Sequence, residues 1–255
     1  MKIFRTLLLV ASLFLVSCAG MHDPLKTQLS EEIQTIELAE IEFDEMLRIR
    51  RTNPLYLLMG SSGTAIVDTG FVLVQASQYK EKAGDIGKVC ATQFKQTLMQ
   101  QLTRNGYSIR ESGLSYWDYF KPSHKELRMS SDAILRIQLE QVGFWSSGMR
   151  TPYNASVIAI AEMVDSKSKK VLYRERVSIG ISEQELKVLA AYLGNISNVK
   201  RPADKPTFNH FRDLLASPEK SSNDLIHVVG KAALHIGRGL RNPMSSTIVA
   251  SEEKD

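Results

Sequence analysis

The clearest periodicity in the chain lies between residues 85 and 109. In "DIGKVCATQFKQTLMQQLTRNGYSI" apolar side chains fall at Ile86, Val89, Cys90, Phe94, Leu98 and Leu102, three or four positions apart, which predicts one face of an amphipathic helix. Arg104 supplies a basic last turn and Asn105-Gly106 a left-handed cap, and "YSIRES" then reads as a short strand. From residue 132 the period changes to two. "DAILRIQLEQV" sets Ala133, Leu135, Ile137 and Leu139 against Arg136, Gln138 and Glu140. "ASVIAIAEMVD" is apolar on both faces until Glu162, the mark of a central strand. "KVLYRERVSIGI" places Val171, Tyr173, Val177 and Ile179 in one register and Arg174 and Arg176 in the other. Asp165 to Lys169 has the composition of a hairpin turn, so the three strands are expected to form an antiparallel meander with one wet face.

Elsewhere the pattern is less regular. "IQTIELAEIEFDEMLRIRR" fits a helical stripe at Ile33, Ile36, Phe43 and Leu47, with Glu40 breaking it. Yet Ile36/Leu38 and Ile41/Phe43 also alternate like strands; the expectation leans to helix. "SEQELKVLAAYLGNI" reads as a helix with Ser182 as N-cap and Glu185 as its capping-box partner. Residues 198–222, rich in proline and polar side chains, read as a linker with a short helix inside. A last helix, 223–243, is expected to be capped by Asn223 and to bury Leu225, Val228, Val229, Ala232, Ile236 and Leu240; residues 244–255 form a tail. The fold class expected is α+β: an antiparallel sheet of three to four strands packed by helices, occupying residues 33–197.

The N-terminus has a different layout. Lys2 and Arg5 precede an uncharged run from Leu7 to Val16, a positive region followed by an apolar one, as in a secretory signal. The run is shorter than the roughly 20 residues a membrane span needs. Leu15-Val16-Ser17-Cys18 resembles a bacterial lipobox. That resemblance implies a diacylglycerol joined to the Cys18 thiol, cleavage between Ser17 and Cys18, and N-acylation of the new terminus. It makes residues 1–17 a signal peptide and 18–32 a lipidated tether. Small Ser17 and Ala19 leave the backbone accessible on both sides, and a thiolate is the best side-chain nucleophile for a thioether. Ala19, rather than aspartate, follows the cysteine, which by resemblance to enterobacterial lipoproteins implies anchoring in the outer membrane, facing the periplasm.

Composition narrows the picture. Of 255 residues, 238 remain after residue 17, enough for one large domain or two small ones. The formal charge of +4 includes Lys2 and Arg5, so the remaining side chains sum to +2, no basis for nucleic-acid binding. With Cys18 acylated, Cys90 is alone and makes no intramolecular disulfide; its apolar helical setting reads as a small buried side chain.

Little in the chain carries chemistry. The five histidines have no partner at ligand spacing; His227 and His235 are eight apart, so no metal site is expected. No Gly-x-Ser-x-Gly motif occurs. The glycines around Gly60, Gly63 and Gly70 lack the Gly-Lys-Ser/Thr of a phosphate loop. The remaining feature is an aromatic cluster, Tyr116, Trp117, Tyr119 and Phe120, in "SYWDYFKPSHKELRMS". It reads either as a partner-binding loop or as rings tucked against the sheet.

In its order of elements, residues 85–182 resemble the αβ domain shared by bacterial envelope accessory proteins: the TolB N-terminal domain, the curli secretion lipoprotein and the lipoprotein activators of penicillin-binding proteins. The matching pieces are Ser131-Asp132-Ala133-Ile134-Leu135 at a strand start and Asp165-Ser166-Lys167-Ser168-Lys169-Lys170-Val171-Leu172 at a turn, where this chain lacks the family's glycine. The resemblance implies a non-enzymatic accessory or assembly factor for an envelope machine, with a protein partner, no cofactor beyond the lipid on Cys18, and no nucleic acid. It carries over no functional residue. The alternatives are a carrier or auxiliary subunit for lipid or small-molecule transport, and an envelope hydrolase with a dispersed site.

Overall fold

The computed structural model describes residues 32–43, 47–51, 73–148, 151–183, 186, 196–201 and 207–241. The signal segment, Cys18, nearly all of the tether, the glycine-rich stretch, Glu185 with most of the helix expected after Ser182, and the tail lie outside the described residues.

The architecture is α+β, but the sheet is larger and of a different kind than expected. Among the described residues it has eight strands, six along one hydrogen-bonded path and two more pairing with its longest strand. The predicted meander is its antiparallel centre: β5 (Ala133–Ser146), β6 (Asn154–Asp165) and β7 (Val171–Ile179). Every strand added to that centre is parallel to its neighbour. The segment expected to be helical is instead β1 (Thr35–Leu38), β2 (Glu42–Phe43) and β3 (Arg48–Arg51), one interrupted line running alongside β5. β4 (Ser108–Arg110), the short strand expected in "YSIRES", flanks β1, and β8 (Ser197–Val199) closes the other edge across the boundary expected between the αβ domain and the linker. Tertiary pairing decides here: two- to four-residue runs beside a fourteen-residue strand gain ladder hydrogen bonds that a lone amphipathic helix with Glu40 in its stripe would lack.

Helices pack mostly on one face. α1 spans residues 73–83, α2 is Ile86–Arg104, the short α3 (Lys125–Met129) instead packs Leu127 on the opposite face, α4 is Phe211–Ala216 and α5 Pro218–Gly239. α2 buries Ile86, Cys90, Phe94, Leu98 and Leu102 as the periodicity predicts, but Val89 is 47% exposed. Gly106 takes the left-handed conformation (φ 92°), and the Tyr107 N–H closes back on the Leu102 carbonyl. α5 buries the whole predicted stripe but starts five residues early, with Pro218 in its first turn and Ser217 as N-cap; Asn223 lies exposed inside it. It ends at Gly239 rather than residue 243. α5 crosses close to α2 at Gly237, where a Cβ would press on Gln101, and Asn105 Nδ2 donates to the Gly237 carbonyl at 2.7 Å. α5 is therefore part of the same core as the sheet, joined through Leu225, Val228, Ala232 and Ile236.

A bulge between Leu139 and Gln141 swaps the faces of β5. Before it Leu135, Ile137 and Leu139 face the helices; after it Val142 and Phe144 do. The outer face has apolar clusters at its two ends, around Tyr119 and Ile134 and around Trp145 and Ile158, with a charged strip between them.

Candidate functional site

The strip is built by register. Arg136 on β5 stands opposite Glu162 on β6, which stands opposite Arg174 on β7. Arg136 grips Glu42 of β2 with both arms, Nε at 2.9 Å and Nη2 at 2.8 Å. Glu162 accepts from Arg174 Nε at 2.6 Å and from the Tyr116 hydroxyl at 3.0 Å. One row on, Arg176, almost fully buried, pairs with Glu140 at 2.9 Å. Opposite charges on adjacent strands make this a cross-strand ladder, and the bidentate Arg136–Glu42 bond fixes its start. Hydrogen bonding to Glu42 holds the Arg136 guanidinium above its ordinary value. Burial, then the Glu162 charge, pushes the Tyr116 hydroxyl up.

The loop 111–132 folds over the Arg136 end of this ladder, and its four aromatics separate into two kinds. Tyr119 is fully buried; its hydroxyl donates to Glu37 Oε1 at 3.0 Å and pairs with Ser112, and burial pushes it up to about 12. Glu37, itself buried on β1, also accepts from Ser131 Oγ at 3.3 Å. Tyr116 is buried and packs edge-on against Trp117 and Phe120, both centroids 5.1 Å away. Phe120 is half-buried, whereas Trp117 is 63% exposed. The Arg136 guanidinium sits 5.2 Å from the Tyr116 ring and 5.3 Å from the Trp117 ring. The structure thus brings the four predicted residues together, with Tyr116 and Tyr119 as the footing and Trp117 as the presented side chain. A cation and a neighbouring ring against Trp117 restrict its rotamers although most of its surface is exposed.

Two further polar clusters went unread in the sequence. Under α5, Glu175 of β7 is buried and receives His235 Nε2 at 3.1 Å and the Tyr173 hydroxyl. Burial alone would raise the Glu175 carboxyl; hydrogen bonds from His235, Tyr173 and Ser197 outweigh it and hold the group below its ordinary value. At the far end, a cleft of about 410 Å³ is lined by Trp145, Asn154, Ile181, Asn198, Lys200 and Arg201. Arg201 spans from Asn154 Oδ1 (3.0 Å) to the buried Asp224 Oδ2 (2.5 Å). The signal for Glu175 was its phase: it shares the register of Tyr173 and Val177, not that of its arginine neighbours.

Cys90 is free and fully buried, and burial pushes its thiol up to about 12. Among the described residues, no group of three or more His, Cys, Asp or Glu is placed to hold a metal ion, and no helix is long and apolar enough to cross a membrane.

No protein-family model matches the chain, and no curated protein does. Among solved structures it is similar to a lipoprotein of Neisseria meningitidis at 15% identity, over 63% of this chain and 94% of that one, with a TM-score of 0.31. A Xanthomonas campestris protein of the DUF330 family aligns at 10% identity over 86% and 88%, TM-score 0.37. The PelC dodecamer of Paraburkholderia phytofirmans aligns at 9% over 86% and 94%, TM-score 0.33. At scores this low the likenesses carry no statement about this chain's role.

Proposed function

We propose that the chain is a lipid-anchored envelope protein, held in the outer membrane through Cys18 and facing the periplasm, that serves an envelope machine as a non-enzymatic accessory or assembly factor. Its docking surface is the 111–130 loop with Trp117 at its tip. The lipobox residues Leu15 to Cys18 support the anchor. The observation that carries docking is the exposed Trp117 ring seated over Arg136 beside buried Tyr116, a large apolar contact on a rigid footing.

Two measurements test the two halves. Palmitate labelling is expected on the native chain and lost in Cys18→Ala; unchanged labelling overturns the anchor. Crosslinking in intact cells is expected to recover one envelope complex with the native chain and not with Trp117→Ala. Equal recovery by both removes Trp117 from the interface.

The far-end cleft favours a second reading, a carrier or auxiliary subunit for lipid or small-molecule transport. At about 410 Å³, with Trp145 and Ile181 beside Glu183, Lys200 and an Arg201 paired to Asp224, it suits a small amphipathic molecule. Native mass spectrometry of the purified protein decides it: a co-purifying ligand supports this reading, and none withdraws it.

A further inference from the structure

One end of the domain gathers basic side chains from separate parts of the chain. Thr35, the first residue of β1, lies in register with Ser108, and the Ser108 N–H bonds to the Gln34 carbonyl. Asp132 accepts from the Gln34 and Thr35 N–H groups at 3.0 and 2.8 Å, and Ser166 of the β6–β7 turn bonds to the Asp132 carbonyl. The C-terminal ends of α2 and α5 meet at Asn105, three residues before Ser108. The hairpin turn, both helix ends and the entry of the chain from its N-terminal segment therefore share this end.

The turn carries Lys167, Lys169 and Lys170, all exposed. The helix ends add exposed Arg104, Arg238 and Arg241. None of these six is in an ion pair among the described residues. The Phe120 ring ties the turn to α3: the Lys169 ammonium lies 5.3 Å from its centroid and the Arg128 guanidinium 5.8 Å. Beside Arg128, Met129 is 43% exposed. The half-buried carboxylates here are engaged by backbone N–H groups: Asp132 caps β1, and Asp165 accepts from the Lys167 and Ser168 N–H groups at 3.0 and 2.5 Å; Glu126 of α3 is exposed. The chain as a whole sums to only +4, so this is a concentration of charge rather than a general excess.

We infer that this basic end is a docking surface for an anionic phospholipid bilayer, against which the domain lies with its hairpin turn and the C-terminal ends of α2 and α5 toward the headgroups. The inference rests on the anchor reading for its occupant: sixteen residues separate Cys18 from Thr35, at most about 60 Å when fully extended. A tether of that length keeps the surface at high effective concentration near the membrane, so an individually weak electrostatic contact is engaged. Each lysine near an anionic leaflet adds to the attraction, which fades within a Debye length and with added salt.

The test uses residues 18–255 carrying Cys18→Ser, which has no lipid of its own. Flotation is measured with vesicles of phosphatidylcholine alone and with 30% phosphatidylglycerol. Binding is expected only to the anionic vesicles and is lost in 0.5 M salt. Lys167→Gln, Lys169→Asn and Lys170→Gln together should weaken it by about ten- to a hundredfold. Arg238→Gln with Arg241→Gln, far from the turn in sequence, should weaken it about tenfold and serves where the triple variant fails to fold. Arg212→Gln with Lys220→Gln, at the opposite end of α5, should leave it unchanged. No binding, equal binding to both vesicles, or an equal loss in the opposite-end variant overturns the surface. Because this chain is unacylated, failure of Cys18 labelling and failure of flotation are separate results.

Discussion

His235 on α5 places its Nε2 3.1 Å from Oε1 of Glu175 in β7, joining the last helix of the chain to the sheet beneath it. The carboxylate is almost wholly buried while the imidazole is 39% exposed on its side chain, so the pair sits at the rim of the helix–sheet interface. The Tyr173 hydroxyl fills the inner side and stands where a side chain at Gly239 would project.

This pair sets an acid limit to stability. Glu175 is held below its ordinary value in the fold, so it binds its proton less readily folded than unfolded. Its contribution is full above the unfolded carboxylate range, about 4.3, and is lost as pH falls through the lower folded value. Glu175→Gln is expected to lose about 1–3 kcal/mol at pH 7 and much less at pH 3. Urea unfolding at the two pH values measures it; an equal loss at both removes ionisation from the account.

The aromatic loop separates footing from function. Tyr119→Phe leaves the buried Glu37 carboxylate one donor short and is expected to cost about 1–3 kcal/mol. Trp117→Ala, at an exposed position, is expected to change stability by less than about 0.5 kcal/mol. A large loss on changing Trp117 would make it a packing residue rather than a presented one.

Lys169 in the β6–β7 turn adopts the left-handed conformation that favours glycine, with φ 61°. The turn geometry survives without the residue type that favours it, held by Asp165 on the Lys167 and Ser168 N–H groups. Lys169→Gly is expected to gain about 0.5 kcal/mol, the relief of the left-handed backbone less the entropy that glycine adds to the unfolded chain. Lys169→Val should lose more than that. Thermal unfolding of the two variants decides the sign.

Cys90 is expected to be inert in the folded protein. A buried thiol pushed up to about 12 offers no thiolate at neutral pH. Maleimide should label it only as the protein unfolds, with the urea midpoint of the main transition. Fast labelling in buffer would show that α2 opens locally.

Much of this fold was legible because long elements repeat their period. α2, the three-strand meander and the buried stripe of α5 all announce themselves over nine residues or more. Most of the short parallel strands do not. β4 was readable in "YSIRES", but β1 to β3 and β8 are two to four residues each, and their pairing with distant partners, not their own pattern, makes them strands. Ser217-Pro218 was an available helix start that the expected linker concealed. At the candidate site the aromatic cluster was visible, but its partition into buried and presented rings depended on Glu37, Arg136 and Glu162, which arrive from three other strands.

β1 lies between β4 and β5, not at an edge of the sheet. Its continuation through β2 and β3 keeps the same line against β5. A pull applied through the chain ahead of Thr35 therefore runs along the strand axis and loads the hydrogen bonds on both sides of β1 together, in shear rather than one after another as in unzipping. The same placement that hid β1 from its own sequence pattern makes Thr35 a mechanically strong point at which to pull on the domain.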